Sequence, residues 1–233
     1  MYAENRKSIN AFVGCLHNCV YCKPSFQQQA KRQKRRCNKC YNYEPHFHPE
    51  RLTIKPPKTR EGEFIFFPSM GDPCFASPTE FETMLDYAKQ YPLHTFLIQT
   101  KNPEFLQKHS LPYNVIVGTT LETNQCWFPG NPSKYKKYEQ ISTTPLPYIR
   151  FIDIKNVPHK RKSITVEPIL ESNTEILSSW IRQISPEFVY VGYDNHDCKL
   201  PEPRLTDTTT LIEELKKFTD VRLKSLRKAW YET

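Results

Sequence analysis

Ser8-Ile9-Asn10-Ala11-Phe12-Val13-Gly14-Cys15-Leu16-His17-Asn18-Cys19-Val20-Tyr21-Cys22 is the stretch on which the reading of the chain turns. Its first half, Ser8–Val13, is short and mostly apolar, which predicts a first strand ending at Gly14. Its second half places Cys15, Cys19 and Cys22 at the spacing Cys-x3-Cys-x2-Cys. Three thiolates this close can wrap three irons of a cubane [4Fe-4S] cluster and leave the fourth iron without a protein ligand. An open iron is what a substrate-binding cluster needs, as a catalytic zinc keeps a free position, whereas electron-transfer clusters usually take four cysteines. A zinc site, or thiols brought together by chance, is the alternative at this point.

Outward from this motif, apolar runs recur at Phe64–Phe67, Thr95–Gln99, Asn114–Thr119, Ser163–Glu167 and Phe188–Gly192. Runs of this length suit strands covered on both faces, as in parallel sheets. Between them lie helix candidates. Pro78–Tyr91 follows Ser77 as N-cap, Pro103–His109 is short, Thr174–Ile184 follows Asn173, and Asp207–Phe218 carries an apolar stripe. Tyr148–Val157 fits either period. Strand and helix alternate over six units, which predicts an α/β fold, an open or partial (βα)6 TIM-like barrel with its chemistry at the C-terminal strand ends. The whole chain, 1–233, reads as one domain. Residues 23–60 look inserted, being basic, cysteine-containing and poor in periodic apolar residues.

Composition narrows the class. Of 233 residues, 38% are hydrophobic and 13% aromatic, which is enough to bury a core and excludes a disordered chain. No apolar run approaches the roughly 20 residues that span a bilayer, so no membrane partner is expected. With no secretory-type segment at the start, a cytoplasmic location is expected, and there eight cysteines point to metal or reactivity before disulfides. The formal net charge of +8 suits a polyanion such as nucleic acid, or simply a solvated surface. Its densest run is Lys31-Arg32-Gln33-Lys34-Arg35-Arg36, beside the cysteines.

The cysteine motif, its place straight after the first strand and Tyr21 before the last cysteine resemble the radical S-adenosylmethionine superfamily. The resemblance implies a cluster whose free iron is chelated by S-adenosyl-L-methionine. It further implies reductive cleavage of that cofactor to a 5′-deoxyadenosyl radical, and abstraction of hydrogen from a substrate. An electron donor such as flavodoxin or ferredoxin goes with that chemistry. The segments Phe-Leu-Ile-Gln-Thr-Lys, Gly-Thr-Thr-Leu-Glu-Thr-Asn, Val-Glu-Pro and Val-Gly-Tyr-Asp are similar to a narrower group, spore photoproduct lyase and a related, often phage-encoded family. The lyase acts on a thymine dimer in DNA, which makes a nucleobase or nucleic acid the first substrate class to consider.

The resemblance also assigns residues. Ser69-Met70-Gly71-Asp72 occupies the place of the family's Gly-Gly-Glu motif and departs from it, with Asp72 as ligand of the methionine amino group. Lys101 is placed to pair with the methionine carboxylate. Thr120, Glu122 and Asn124 are placed for ribose hydroxyls or the methionine moiety, and Glu167 and Tyr21 for the cofactor pocket. Cys74, next to Asp72, is a candidate donor of a hydrogen atom to a product radical, or a small half-buried residue. His17 and Asn18 are expected to shield the cluster or tune it.

Cys37-x2-Cys40 followed by His46 and His48 makes a second candidate metal set. Three readings stay open: a tetrahedral zinc (Zn2+), an auxiliary iron–sulfur cluster, or free thiols in a loop fixed by Pro45 and Pro49. Two rivals to the main reading follow. One is a non-catalytic zinc-dependent nucleic-acid-binding module, and the other is a radical enzyme acting on a small molecule or peptide.

Overall fold

The computed structural model describes residues 2–233. Strand β1 (Asn5–Ser8) is followed by β2 (Phe12–Val13), helical turns leading through α1 (Gln28–Ala30), then α2 (Asn38–Asn42) and β3 (His46–Phe47). The alternating part comes next: β4 (Phe64–Phe66), α3 (Pro78–Lys89), β5 (Phe96–Gln99), a 3-10 turn (Pro103–Lys108), and β6 (Val115–Thr120). It continues through α4 (Pro147–Asn156), β7 (Lys162–Val166), α5 (Thr174–Ile184), β8 (Phe188–Val191), α6 (Leu205–Lys216) and β9 (Asp220–Leu223). Seven strands form one parallel sheet in the order β1-β4-β5-β6-β7-β8-β9, and β2 and β3 pair antiparallel as a separate ribbon. β1 and β9 stay at the two edges, so the sheet is an open half-barrel.

Alternation along the strands splits the core into two. Ile65, Ile98, Val117, Ile164, Val189 and Val191 pack outward against the helices. The stripe Leu177, Ile181 and Ile184 of α5 is buried there, each side chain contributing roughly 1.5–3 kcal/mol. Phe64, Leu97, Ile116, Phe188 and Tyr190 point inward with Tyr2 and fill the base of the half-barrel. Tyr2 stacks on Tyr190 at 4.1 Å, and its hydroxyl donates to Gln99 at 2.9 Å and lies 3.1 Å from Thr165 Oγ1.

Ser77 and Glu80 form a reciprocal capping box at the start of α3, and Asn173 caps α5 through the Ile176 amide. The undecided segment is helical because Pro147, Arg150, Phe151 and Ile154 fall on one buried face. Two strand expectations change. The first strand is not Ser8–Val13. The chain bends at Asn10, whose Oδ1 accepts from Ser69 N, Ser69 Oγ and Met70 N, and so Phe12–Val13 leaves the main sheet for β3. β9 is a seventh strand of the sheet that the sequence does not announce. Asp220 and Arg222 make it polar, as suits an edge strand.

No described helix is long and apolar enough to cross a membrane.

Candidate active site

The cysteine loop starts where two backbones meet. Gly14 N donates to Met70 O at 3.0 Å and Asp72 N donates to Gly14 O at 3.1 Å, tying the loop to the end of β4. Gly14 has φ +96°, and a Cβ on it would lie 2.2 Å from the carbonyl oxygen of Glu44. A Cβ on Gly71 would lie 2.9 Å from Gly14 N. Both glycines are therefore required by close approach. From the other side the 141–143 segment holds the loop: Val20 N donates to Ile141 O, and Thr143 N and Oγ1 both donate to His17 O.

Cys15, Cys19 and Cys22 line one cavity of about 470 Å³ at the C-terminal ends of the strands. That size is within the range of small-ligand sites, roughly 300–1,000 Å³. Each strand end adds polar groups to its wall: Ser69, Gly71 and Asp72 after β4, Gln99 to Lys101 from β5, Thr120 from β6, Thr165 and Glu167 from β7, Asp194 and Asn195 after β8, and Lys224 after β9. Glu167 Oε2 pairs with Lys224 Nζ at 2.5 Å.

The three thiols differ in their surroundings. Burial and then the charge of Asp72 push the Cys15 thiol up. A hydrogen bond from Cys22, the charge of Lys101 and Ser142 Oγ at 3.1 Å hold Cys19 down to about 6, against the opposing effect of burial. The reciprocal bond with Cys19, then burial, raise Cys22. Three thiolates together in this place need a cation to compensate them.

Behind the thiols lies a buried ionic network. Glu122 is fully buried. Its Oε1 accepts from Tyr21 OH at 2.6 Å and Lys101 Nζ at 2.5 Å, and its Oε2 accepts from Arg150 Nη2 at 2.7 Å and Tyr138 OH at 3.2 Å. Arg150 is also fully buried and donates through Nη1 to Thr120 O at 2.5 Å. Burial favours a neutral Glu122, but Arg150 and Lys101 outweigh it and hold its carboxyl down to about 2. Two cations face one carboxylate here. Burial works against the charge on Lys101, and Cys19 and then Glu122 outweigh it, so the ammonium stays charged up to about 12.

Several of the expected cofactor positions lie off the cavity wall or have their polar atoms engaged by neighbouring residues. Glu122 does not line the cavity, because its oxygens are taken by Lys101, Arg150, Tyr21 and Tyr138. Asn124 lies outside it as well, with its Oδ1 accepting from Asn173 N at the start of α5. Cys74 stands behind His17, with Sγ 3.5 Å from His17 Nε2, and does not line the cavity either. Asp72 reaches the wall, yet its oxygens already accept from Thr100 Oγ1 at 2.6 Å, Lys101 N at 2.8 Å and Cys74 N at 3.1 Å, with His17 Nε2 at 3.1 Å. Asn10, Tyr43, Tyr138 and Arg150 shape the site with weaker sequence signals. For Arg150 the signal is its place on the apolar i, i+3, i+4 face of α4, where a cation must find a buried anion.

Cys37, Cys40, His46 and His48 form a separate cluster, with all four ligand atoms within 4.8 Å of one another. Cys126 and Cys198 join neither group.

No family model matches the sequence, and no curated protein matches it. Solved structures do. Spore photoproduct lyase complexed with dinucleoside spore photoproduct superposes with a TM-score of 0.50 at 11% identity, over 91% of this chain and 61% of that one. The chain has the partial-barrel fold of spore photoproduct lyase. A cysteine-to-alanine variant of the lyase with the dinucleoside and a tyrosine-to-phenylalanine variant match with TM-scores of 0.48 at 12% and 13% identity. The chain spans 61% of the length of these proteins.

Proposed function

We propose that the chain is a radical S-adenosylmethionine enzyme. The observation that carries this reading is the arrangement of three thiols, and no fourth, on one wall of a ligand-sized cavity at the mouth of a half-barrel. The donor set fits a [4Fe-4S] cluster, for which Cys15, Cys19 and Cys22 would supply three of four iron ligands. Bound there, the cluster and S-adenosyl-L-methionine supply reductive cleavage of the sulfonium and hydrogen abstraction from a substrate.

The chain's own residues divide the remaining work. Cys15, Cys19 and Cys22 hold the cluster. Lys101 and Arg150, two cations against the single Glu122, compensate the negative charge of three thiolates. Ser69, Gly71, Gln99, Thr120, Glu167 and Asn195, which line the same cavity, offer polar contacts to a nucleoside and an amino acid. Tyr2 closes the base.

For the substrate we propose a nucleobase, free or within a nucleic acid. A second hollow of about 450 Å³ adjoins the cavity, shares Ser25, Gln29 and His196 with it and carries Lys31 and Arg32 on its wall. Lys31, Arg32, Lys34, Arg35 and Arg36 are all exposed and none is in an ion pair among the described residues. Such a face attracts a phosphate backbone. The fold likeness to a lyase solved with a dinucleoside agrees with this choice.

The test is anaerobic reconstitution with iron and sulfide, then reduction with dithionite in the presence of S-adenosyl-L-methionine. The wild type is expected to form 5′-deoxyadenosine, and Cys19→Ala to form none. A wild type that takes up no iron and cleaves nothing would sink the reading.

A further inference from the structure

Outside the cavity, the most complete cluster of ligand atoms is in the segment that follows the cysteine loop. Cys40 Sγ lies 3.3 Å from His46 Nε2 and 3.1 Å from His48 Nε2, and Cys37 Sγ lies 3.4 Å from His46 Nε2. A tetrahedral zinc with bonds of roughly 2.0–2.1 Å to nitrogen and 2.3 Å to sulfur requires S···N edges of about 3.5 Å. The observed edges fall within about half an ångström of that geometry.

The tautomers agree. His46 Nδ1 faces Glu44 O at 2.7 Å, and His48 Nδ1 faces Glu50 Oε1 at 2.7 Å. Both partners only accept, so the protons sit on Nδ1 and the lone pairs of both Nε2 atoms point at the thiols. Two S–H groups could serve the two imidazole lone pairs only one by one, whereas one cation engages all four donor atoms at a single point. Carboxylate and carbonyl partners on the outer nitrogens are also what orients histidine ligands.

We infer that Cys37, Cys40, His46 and His48 bind one zinc ion, and that this closed site fixes the segment that backs the cysteine loop. The links are direct. Val13 pairs with His46, and His48 N donates to Ala11 O at 2.6 Å. Glu44, between the ligands, packs on Gly14. Arg51 donates through Nη1 to Asn10 O at 2.8 Å while its Nη2 lies 3.8 Å from Cys40 Sγ. Tyr43, held at φ 59° at the end of α2, lines the cavity. All four donors are filled by the protein, so the ion is structural and not catalytic.

The test is metal analysis of the full chain. The wild type is expected to carry about one zinc per chain. Cys40→Ser and His48→Ala are expected to lose it, and His48→Cys, which keeps four ligands, to retain it. Glu50→Ala should weaken zinc binding roughly 10–100-fold by releasing the outer nitrogen of His48. A triple variant with Cys15, Cys19 and Cys22 changed to alanine should keep its zinc, which separates this inference from the function proposed above. If Cys40→Ser does not fold, the triple variant is stripped with a chelator and titrated with cobalt(II). A tetrahedral thiolate spectrum, displaced by zinc, is expected. Zinc missing from the wild type, zinc that follows Cys15–Cys22, iron that follows Cys37 and Cys40, or an octahedral cobalt spectrum would overturn the inference.

Discussion

Two cysteine groups lie close together in this chain and are built on opposite plans. Cys15, Cys19 and Cys22 are three donors on the wall of a cavity, with a buried cationic network behind them and open space in front. Cys37 and Cys40 meet two histidines whose outer nitrogens are both engaged, so that four donors enclose one point. The residue type is the same, but the number of donors and the space beside them differ. An incomplete set beside a cavity leaves a coordination position for a ligand, and a complete set in a loop holds chain segments together. Cysteine count alone cannot separate these roles. The neighbours of each thiol do.

The largest effect expected from this contrast belongs to the open group. Cys19→Ala should abolish cluster binding and 5′-deoxyadenosine formation together, while Cys126→Ala, in neither group, should leave both intact. Equal loss in the two variants would break the distinction between grouped and scattered thiols.

Next comes the network behind the open group. Glu122→Gln removes the one anion that Lys101 and Arg150 share, so it should destabilise the fold by about 3–5 kcal/mol in urea unfolding. A change below about 1 kcal/mol would mean that the two cations find other partners.

The same carboxylate sets an acid limit. Its pKa is lower in the folded chain, about 2 against an ordinary 4.5. The stabilisation is therefore complete above about pH 4.5 and is lost as pH falls from there toward 2, on the order of 3 kcal/mol in all. Denaturant midpoints measured across this window should fall for the wild type, and less steeply for Glu122→Gln. Parallel slopes would assign acid sensitivity to other groups.

A smaller effect is expected where the two regions touch. Gly14→Ala places a Cβ against Glu44 O at a φ that disfavours side chains, and should cost about 1–3 kcal/mol. Iron and zinc binding should weaken together in this variant. Weakening of iron alone would show that the second cluster does not support the first.

The smallest effect concerns the basic face carried by the closed group's segment. Changing Lys31, Arg32 and Lys34 to alanine should lower the salt dependence of binding to a single-stranded oligonucleotide, by about 2 in the log–log slope. An unchanged slope would move the nucleic-acid contact elsewhere or remove it.

Much of this architecture is legible in the sequence. The alternation of strands with helices and the caps of α3 and α5 are local signals that the structure carries through, and the closely spaced cysteines come to line one cavity. The break of the first strand at Asn10 is not local. It depends on amides 59 and 60 residues away, which only the fold brings near. The partners of Glu122 and Asn124 are hidden for the same reason. Each follows a strand end that reaches the site, but Glu122 turns toward Arg150 of α4 and Asn124 toward the cap of α5. β9 escapes notice because an edge strand needs no apolar run. The Cys37–His48 set is visible as residue types, and its closure becomes visible only through the β2–β3 pairing that brings His46 back to Val13.

The most direct test of the open-site account is electron paramagnetic resonance of the reconstituted, dithionite-reduced wild type, recorded before and after addition of S-adenosyl-L-methionine. The account predicts the signal of a reduced [4Fe-4S] cluster, changed on addition because the cofactor binds the iron that no cysteine holds. A cluster signal that S-adenosyl-L-methionine leaves unaltered, or no cluster signal at all, would contradict it.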